Sequence, residues 1–276
     1  MSFRIVADSA ANLWTREKGS FACVPLRIRV GEKEFVDEKG LNLEDLVEEM
    51  YVSRESCSSS CPNVFDWIDA FDGAEEIFAV TITSNLSGSY AAAVNAREEY
   101  LKKYPNAKVC ILDSLSAGPE MELIVEKLEF LRDSGATFEE TEKQVRAYMI
   151  KTNLLVTLES LKNLAKNGRV SNTVAKIAGV LGIRVIGEAS SEGTLESIHK
   201  CRGEKKALET LKEEMIKRGF WGGKLRIAHC ENLAAAEVFK EMILKFFPKS
   251  DIIIRRCKGL CSYYAERGGM IIGFES

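Results

Sequence analysis

The sequence predicts an α/β protein of two domains: a parallel-sheet α/β/α unit over residues 1–150 and an α+β unit over residues 151–276. Three observations carry this expectation. Short apolar runs alternate with amphipathic helical patterns through the first half, as in a parallel sheet covered on both faces. After residue 150 the alternation gives way to paired strand patterns, two of them joined across Ser190-Ser-Glu-Gly193, a hairpin signal. A chain of 276 residues is also long for one core and suits two domains of about 120–150 residues each.

Taken in order, residues 4–7 read as a strand ending in Asp8-Ser9, and residues 22–30, with Pro25, as one extended segment. Residues 42–51 form an amphipathic helix with Asn42 as its cap, and residues 63–71 a helix after Pro62. Residues 77–82 are a strand and 91–104 an alanine-rich helix. A strand over 108–112 then ends in Asp113-Ser114, and a long helix over 118–134 stops at Gly135. In the second half, 138–150 is an amphipathic helix, 154–158 a strand and 161–166 a short helix ended by Asn167-Gly168. Residues 172–181 read as a helix ending at Gly182, and 183–188 and 195–201 as the hairpin strands. Helices over 205–218 and 234–247 alternate with strands over 225–230, 252–256 and 269–274. There is no internal repeat or low-complexity linker, and the joining stretch has no Gly-, Pro- or Ser-rich slack, so the domains are expected to share a substantial interface.

Composition narrows the function. With 46% hydrophobic residues, 29% charged residues and five prolines, disorder is excluded. A net charge of −3, with Lys and Arg spread among acids, lacks the basic stripe of a nucleic-acid binder. The opening Met-Ser-Phe-Arg-Ile-Val-Ala runs straight into a strand, and no apolar run approaches 18 residues. The expected location is the cytoplasm, with at most transient membrane contact. Eight cysteines are scattered without a Cys-x-x-Cys, and there are two histidines, so no metal site is expected. Reduced thiols acting as small apolar residues fit better.

The most informative stretch is residues 83–90, Thr-Ser-Asn-Leu-Ser-Gly-Ser-Tyr, between the strand over 77–82 and the helix that follows. A strand passing through a hydroxyl-and-glycine turn into a helix makes an anion site. The first helical N–H groups have no intrahelical acceptor and sit at the positive end of the dipole, and Ser84, Ser87 and Ser89 add hydroxyl donors. A serine that merely caps its own helix gives the same local pattern. What distinguishes this junction is a second hydroxyl cluster upstream, Ser56-Cys-Ser-Ser-Ser-Cys-Pro62. Ligands of parallel sheets bind beyond the carboxyl ends of the strands, and three such ends here carry Asp8-Ser9, Thr83-Ser84 and Asp113-Ser114. No Gly-x-Gly-x-x-Gly occurs, and Trp221-Gly-Gly-Lys-Leu225 is not a P-loop, so no nucleotide cofactor is expected. Ser87 is not in a Gly-x-Ser-x-Gly elbow, and a hydrolase would need His199 or His229 as base.

These residues, in this order, resemble the DegV family, the bacterial fatty-acid-binding proteins that include the acyl-carrying subunit of fatty acid kinase. The resemblance spans Ile5 to Phe274. It comprises Asp8-Ser-Ala-Ala-Asn-Leu13, Val24-Pro-Leu26, Phe35-Val-Asp37, Ser59-Ser-Cys-Pro62 where the family has Thr-Ser-Gln-Pro, and Ser84-Asn-Leu-Ser-Gly-Ser-Tyr90. Asp113-Ser114, Asn167-Gly-Arg-Val-Ser171 and Lys200-Cys-Arg-Gly203 complete it. It implies a long-chain fatty acid buried between two domains, with no other cofactor, its carboxylate held by Ser59 and Ser87 with Ser60, Ser84 and Gly88 as neighbours. Arg169 and Arg202 would belong to the rim that meets a separate ATP-using fatty acid kinase subunit, where arginine can neutralise an acyl phosphate. Burying about 14 methylenes at roughly 0.8 kcal/mol each gives a gross gain near 11 kcal/mol, set against association costs on the order of 4–15 kcal/mol. The tail therefore supplies affinity and the hydroxyls fix the head.

Besides Ser59, which keeps the hydroxyl of the family's threonine, three sites depart from the family pattern. Cys61 replaces glutamine, Arg184-Val185 replaces Lys-Pro, and Tyr264 stands where the family has histidine in Thr-His-x-Gly-Pro-Gly. A neutral phenol supplies no positive charge but can donate one hydrogen bond. The expected protein is thus a non-catalytic lipid carrier. Its rival is a serine-dependent acyl hydrolase or transferase using Ser87, and a third reading is a pure interaction module without lipid.

Overall fold

The computed structural model describes residues 2–16, 20–53, 57–171 and 182–276; the helix expected over 172–181 lies outside the described residues. The first half supplies β1 (Phe3–Asp8), β2 (Phe21–Val24), β3 (Arg27–Val30), β4 (Lys33–Val36), β5 (Cys57–Ser60), β6 (Glu76–Thr81) and β7 (Lys108–Asp113). Its helices are α1 (Leu43–Val52), α2 (Val64–Phe71), α3 (Ser89–Lys103), α4 (Pro119–Asp133) and α5 (Phe138–Met149). The second half supplies β8 (Thr152–Leu158), β9 (Ile183–Ala189), β10 (Leu195–Arg202), β11 (Lys224–His229), β12 (Asp251–Arg256) and β13 (Met270–Glu275). Its described helices are α6 (Lys162–Lys166), α7 (Glu204–Lys217), α8 (Leu233–Phe246) and α9 (Gly259–Ala265).

The class is mixed α/β, as expected. Strands β2-β1-β6-β7 form a wholly parallel sheet. Residues 77–81 of β6 are all buried, the continuous apolar run of a strand covered on both faces. The order β10-β9-β8-β13-β11-β12 forms a six-stranded sheet, antiparallel except for the β11–β12 pair. The expected hairpin is β9–β10, with a register shift between Ser197 and His199. Asn42 caps α1 as expected, and Asn63 and Asp66 form a capping box on α2.

Layering follows from which faces are apolar. Helices α2 and α3 cover one face of the parallel sheet around Trp67, Phe71 and Tyr100. Helices α7 and α8 cover the far face of the six-stranded sheet around Leu211, Phe220 and Phe239. Helix α4 lies between the sheets, touching β1 and β6 on one side and β8, β11 and β13 on the other. That double coverage explains why residues 119–125 are all buried. The first turn of α4 rests on β13 at Gly273, where a Cβ would stand 2.4 Å from the Glu120 amide nitrogen. Any side chain there would lift the helix off the strand.

Two segments differ from the sequence reading. Residues 22–30 are not one extended run. β2 stops at Val24, Pro25 cannot continue a hydrogen-bonded ladder, and β3 leaves for a small antiparallel sheet, β4-β3-β5. β5 consists of Cys57-Ser-Ser-Ser60, without apolar alternation, and is recruited by pairing with β3, Ile28 opposite Ser59. The second difference is α9, which the sequence reading passes over. Its first amides, Gly259 N–H and Leu260 N–H, donate to the Asp37 carboxylate at 2.9 and 2.8 Å across 222 and 223 residues of chain. α9 puts Leu260 and Tyr263 into the core beneath the parallel sheet, and Cys261 and Ala265 into the cluster on the six-stranded sheet. A boundary at residue 150 thus separates the sheets but not the hydrophobic clusters.

Candidate functional site

The loops after β6 and β7, at the carboxyl edge of the parallel sheet, face the second sheet across a cavity of about 290 Å³. Its polar lining comes mainly from the first half: Ser59, Ser60 and Cys61 at the end of β5, Thr83, Ser87 and Gly88 ahead of α3, and Ser116 ahead of α4. The opposite wall is apolar. Leu154, Val156 and Leu158 line it from alternate positions of β8, with Leu195, Leu260 and Ile271 beside them. Among the described lining residues Arg169 is the only charged one. The site therefore has a hydroxyl-rich end, one cation and an apolar body, which suits an amphiphile with an anionic head.

Buried carboxylates hold the polar end in shape. Asp8, at the tip of β1, is fully buried and accepts from Ile82 N–H at 2.9 Å, Ala10 N–H at 3.2 Å and Ser89 Oγ at 2.6 Å. It thereby ties the β6 loop and the first residue of α3 to β1. Burial raises its pKa to about 7 against the lowering effect of those donors. Asp113 accepts from Ser84 N–H and Leu115 N–H, each at 3.1 Å, and so orders the loops after β6 and β7 together. α3 has no acidic residue in its first turn, and its N-cap, Gly88, offers no side-chain cap. Ser87 Oγ accepts from Ser89 N–H at 3.3 Å, a partial cap that leaves the hydroxyl hydrogen free to donate elsewhere.

Tyr264 reaches the cavity from α9. Its Oη lies 2.7 Å from Ser59 Oγ, joining two sequence-predicted residues 205 positions apart. Burial raises the phenol pKa, opposed by the bond to Ser59 and by the charge of Arg169. The Arg169 Nε donates to the Leu86 carbonyl at 3.1 Å, so this cation also bridges the halves. The hairpin tip between β9 and β10 closes another side. Asn85 Nδ2 donates to the Glu192 carbonyl, and at Gly193, whose φ is +76°, a Cβ would stand 2.2 Å from Thr83 Oγ1 and 2.9 Å from Leu115 backbone atoms.

Six of the eight sequence-predicted residues thus meet around one cavity: Ser59, Ser60, Ser87, Gly88, Tyr264 and Arg169. Ser84 does not line it; the loop brings Thr83, Leu86 and Ser87 inward and leaves Ser84 exposed. Arg202 is also outside the lining, exposed at the end of the edge strand β10. The sequence reading missed Ser116, the hairpin tip and the β8 wall. Ser114-Leu-Ser116 continued the Asp-Ser strand end and could have flagged the first. The strand leucines carry no signal separating a cavity wall from ordinary core.

Residues 2–276 match the DegV family, described as uncharacterised proteins. A DegV domain-containing protein of Streptococcus pneumoniae is 42% identical over 279 residues, covering 100% of this chain and 99% of the relative. Among solved structures, a DegV family protein from Eubacterium eligens loaded with heptadecanoic acid superposes with a TM-score of 0.97 at 45% identity, covering 100% of both chains. The Streptococcus pneumoniae Fatty Acid Kinase (Fak) B3 protein loaded with linoleic acid gives a TM-score of 0.98 at 42% identity, covering 100% of this chain and 99% of that one. The chain belongs to the DegV family.

Proposed function

We propose that this protein binds a long-chain fatty acid between its two sheets and presents the carboxyl group to a separate kinase subunit. The observation that carries the reading is a single cavity with a hydroxyl end, Ser59, Ser87 and Tyr264, opposite an apolar wall built on β8. Ser59 and Ser87 each donate to the carboxylate, Tyr264 holds Ser59 in place, and Arg169 supplies the counter-charge at the rim. The relatives crystallised with heptadecanoic and linoleic acids support the ligand class, and the likeness to a fatty acid kinase protein supports the partner.

The protein itself acts as a carrier. A serine-dependent hydrolase requires a base beside Ser87, and neither histidine lines the cavity. His199 Nε2 pairs with Glu214 at 2.9 Å, and His229 Nδ1 accepts from Asn232 N–H at 3.3 Å.

Two charge-assisted bonds at roughly 2 kcal/mol each, partly replaced by water, put the loss in a Ser59→Ala/Ser87→Ala double variant on the order of 100-fold in affinity. Titration with a fluorescent fatty acid measures it, and denaturing extraction with mass spectrometry of the purified protein identifies the natural tail. Unchanged affinity in the double variant would remove the head-group assignment; an extract empty of lipid, repeated after loading, would remove the ligand.

A further inference from the structure

Directly behind the cavity wall lies an acidic side chain that the ligand reading does not use. Glu120, in the first turn of α4, is 6% exposed. Ser116 Oγ, whose residue lines the cavity, donates to Glu120 Oε2, and the other carboxyl oxygen, Oε1, lies 2.7 Å from Thr152 Oγ1 on β8. The carboxyl thus joins the cavity wall of the first half to the first strand of the second sheet.

The hydrogens at this junction can be counted. Thr152 Oγ1 is within hydrogen-bond distance of two oxygens, Glu120 Oε1 and the Met149 carbonyl at 3.0 Å. A hydroxyl has one hydrogen to donate, and a carbonyl has none. Every group is satisfied when Thr152 donates to Met149 and Glu120 Oε1 carries a proton that it donates to Thr152. An ionised Glu120 would leave two acceptors, its own buried Oε1 and the part-buried Met149 carbonyl, competing for one hydrogen, and a carboxylate oxygen that lost it would be an unmet acceptor in a buried site.

Among the described residues no cation offsets the burial. β8 brings no titratable side chain, and β13 brings only Glu275, whose carboxylate accepts from Tyr148 Oη and Lys224 N–H. On β11, Arg226 and Lys224 are engaged by Glu126, and His229 sits at the far end of the strand. On α4 itself, Glu122 pairs with Arg255 and Arg132 with Glu76 of β6; on α5, Arg146 pairs with Glu142. Asp8 of β1 is occupied by its own three donors. Burial accordingly raises the Glu120 pKa to about 7, against the lowering effect of the Ser116 and Thr152 hydroxyls.

We propose that Glu120 is a positioning residue for ligand binding: its neutral form joins Ser116 to Thr152, and above neutral pH, where the empty protein begins to lose that proton, filling the cavity is linked to proton uptake at this group. This rests on the fatty acid reading above. A tail that displaces water from the wall at Ser116 deepens the burial of Glu120 and favours its neutral form. By reciprocity the neutral form then favours the tail.

The test is the pH profile of cis-parinaric acid binding to the full chain, wild type against Glu120→Gln, from pH 6 to 8.5. A one-unit rise in the Glu120 pKa on loading corresponds to an affinity falling about tenfold across that range. In Glu120→Gln, which cannot ionise, affinity at pH 8.5 stays within twofold of the variant's own value at pH 6. A flat wild-type profile, or the same alkaline loss in both proteins, overturns the proposal. Carbon-13 titration of the glutamate carboxyls in ligand-free wild type, with Glu120 assigned by its absence from the variant, reads the proton without the ligand. An ionised Glu120 at pH 6 also overturns the proposal. If neither protein binds parinarate at any pH while Glu120 is neutral at pH 6, the fatty acid reading and the linkage both fall and the structural proton stands.

Discussion

Replacing Gly193 by alanine tests whether the hairpin tip closes the cavity. The backbone there has φ of +76°, and a Cβ would meet Thr83 Oγ1 at 2.2 Å and the Cα and carbonyl oxygen of Leu115 at 2.9 Å. Two effects add. A non-glycine residue in the left-handed region costs about 1 kcal/mol. The contacts with Leu115 are to backbone, which cannot rotate away, so the tip must withdraw and give up the Asn85–Glu192 bond and the packing around Thr83. Together these amount to about 2–4 kcal/mol.

Gly135 provides the internal control. Its φ is +77°, the bonds from Gly135 N–H to the Arg132 carbonyl and from Ala136 N–H to the Leu131 carbonyl are those of a left-handed helix end, and a Cβ there would meet nothing within 4 Å, so Gly135→Ala carries the backbone cost alone. For a chain of this size about 2 °C of Tm is lost per kcal/mol. Gly135→Ala is therefore expected to melt about 2 °C below wild type, and Gly193→Ala about 4–8 °C below. The assay that matters is dissociation: stopped-flow transfer of a bound fluorescent fatty acid to albumin should be about tenfold faster in Gly193→Ala and unchanged in Gly135→Ala. Equal melting losses with equal off-rates would refute the idea that the tip is seated on the loop after β6 and closes the cavity.

Two further outcomes follow from the same geometry. Tyr264→Phe removes the hydroxyl 2.7 Å from Ser59 and is expected to weaken fatty acid binding about 5- to 10-fold, with Tm changed by less than about 3 °C; unchanged affinity would mean that Ser59 needs no support. Arg226→Met leaves Glu126 facing only Lys224 in the seam between α4 and β11 and should cost about 3 kcal/mol in urea unfolding. Adding Glu126→Gln should recover part of that loss, and a double variant no better than the single one would show that the pair is not coupled.

What the sequence revealed follows a physical line. Helices with strong apolar periodicity and local caps, such as Leu43–Val52 behind Asn42 and Val64–Phe71 behind Asn63, are recovered within about a residue because their determinants are local. β5 and Gly259–Ala265 are missed because theirs are not. One is a serine run that becomes a strand by pairing with Ile28 and its neighbours, and the other is a short helix capped by an aspartate from the opposite half of the chain. The site divides in the same way. The polar end of the cavity is written in clustered hydroxyls and a strand-to-helix junction, so Ser59, Ser87 and Gly88 are legible as lining residues, and Tyr264 and Arg169 come through the family resemblance. The apolar wall of Leu154, Val156 and Leu158 reads as ordinary strand core, since only the arrangement of the two sheets leaves space above it. Cavity and core are the same sequence under different tertiary constraints.

Helix Gly259–Ala265 also has a consequence for biosynthesis. Leu260 and Tyr263 complete the hydrophobic cluster under the parallel sheet, yet about 110 residues separate α5 from that helix. At roughly 5–20 residues per second, a ribosome holds the first half for about 5–20 s with that slot unfilled. During this interval Asp37 has no helix to cap, and the apolar seat of α9 is open to water or to any hydrophobic segment nearby. The nascent first half is thus the species most in need of a chaperone, and nearly the last turn of helix to be translated is the one that seals it.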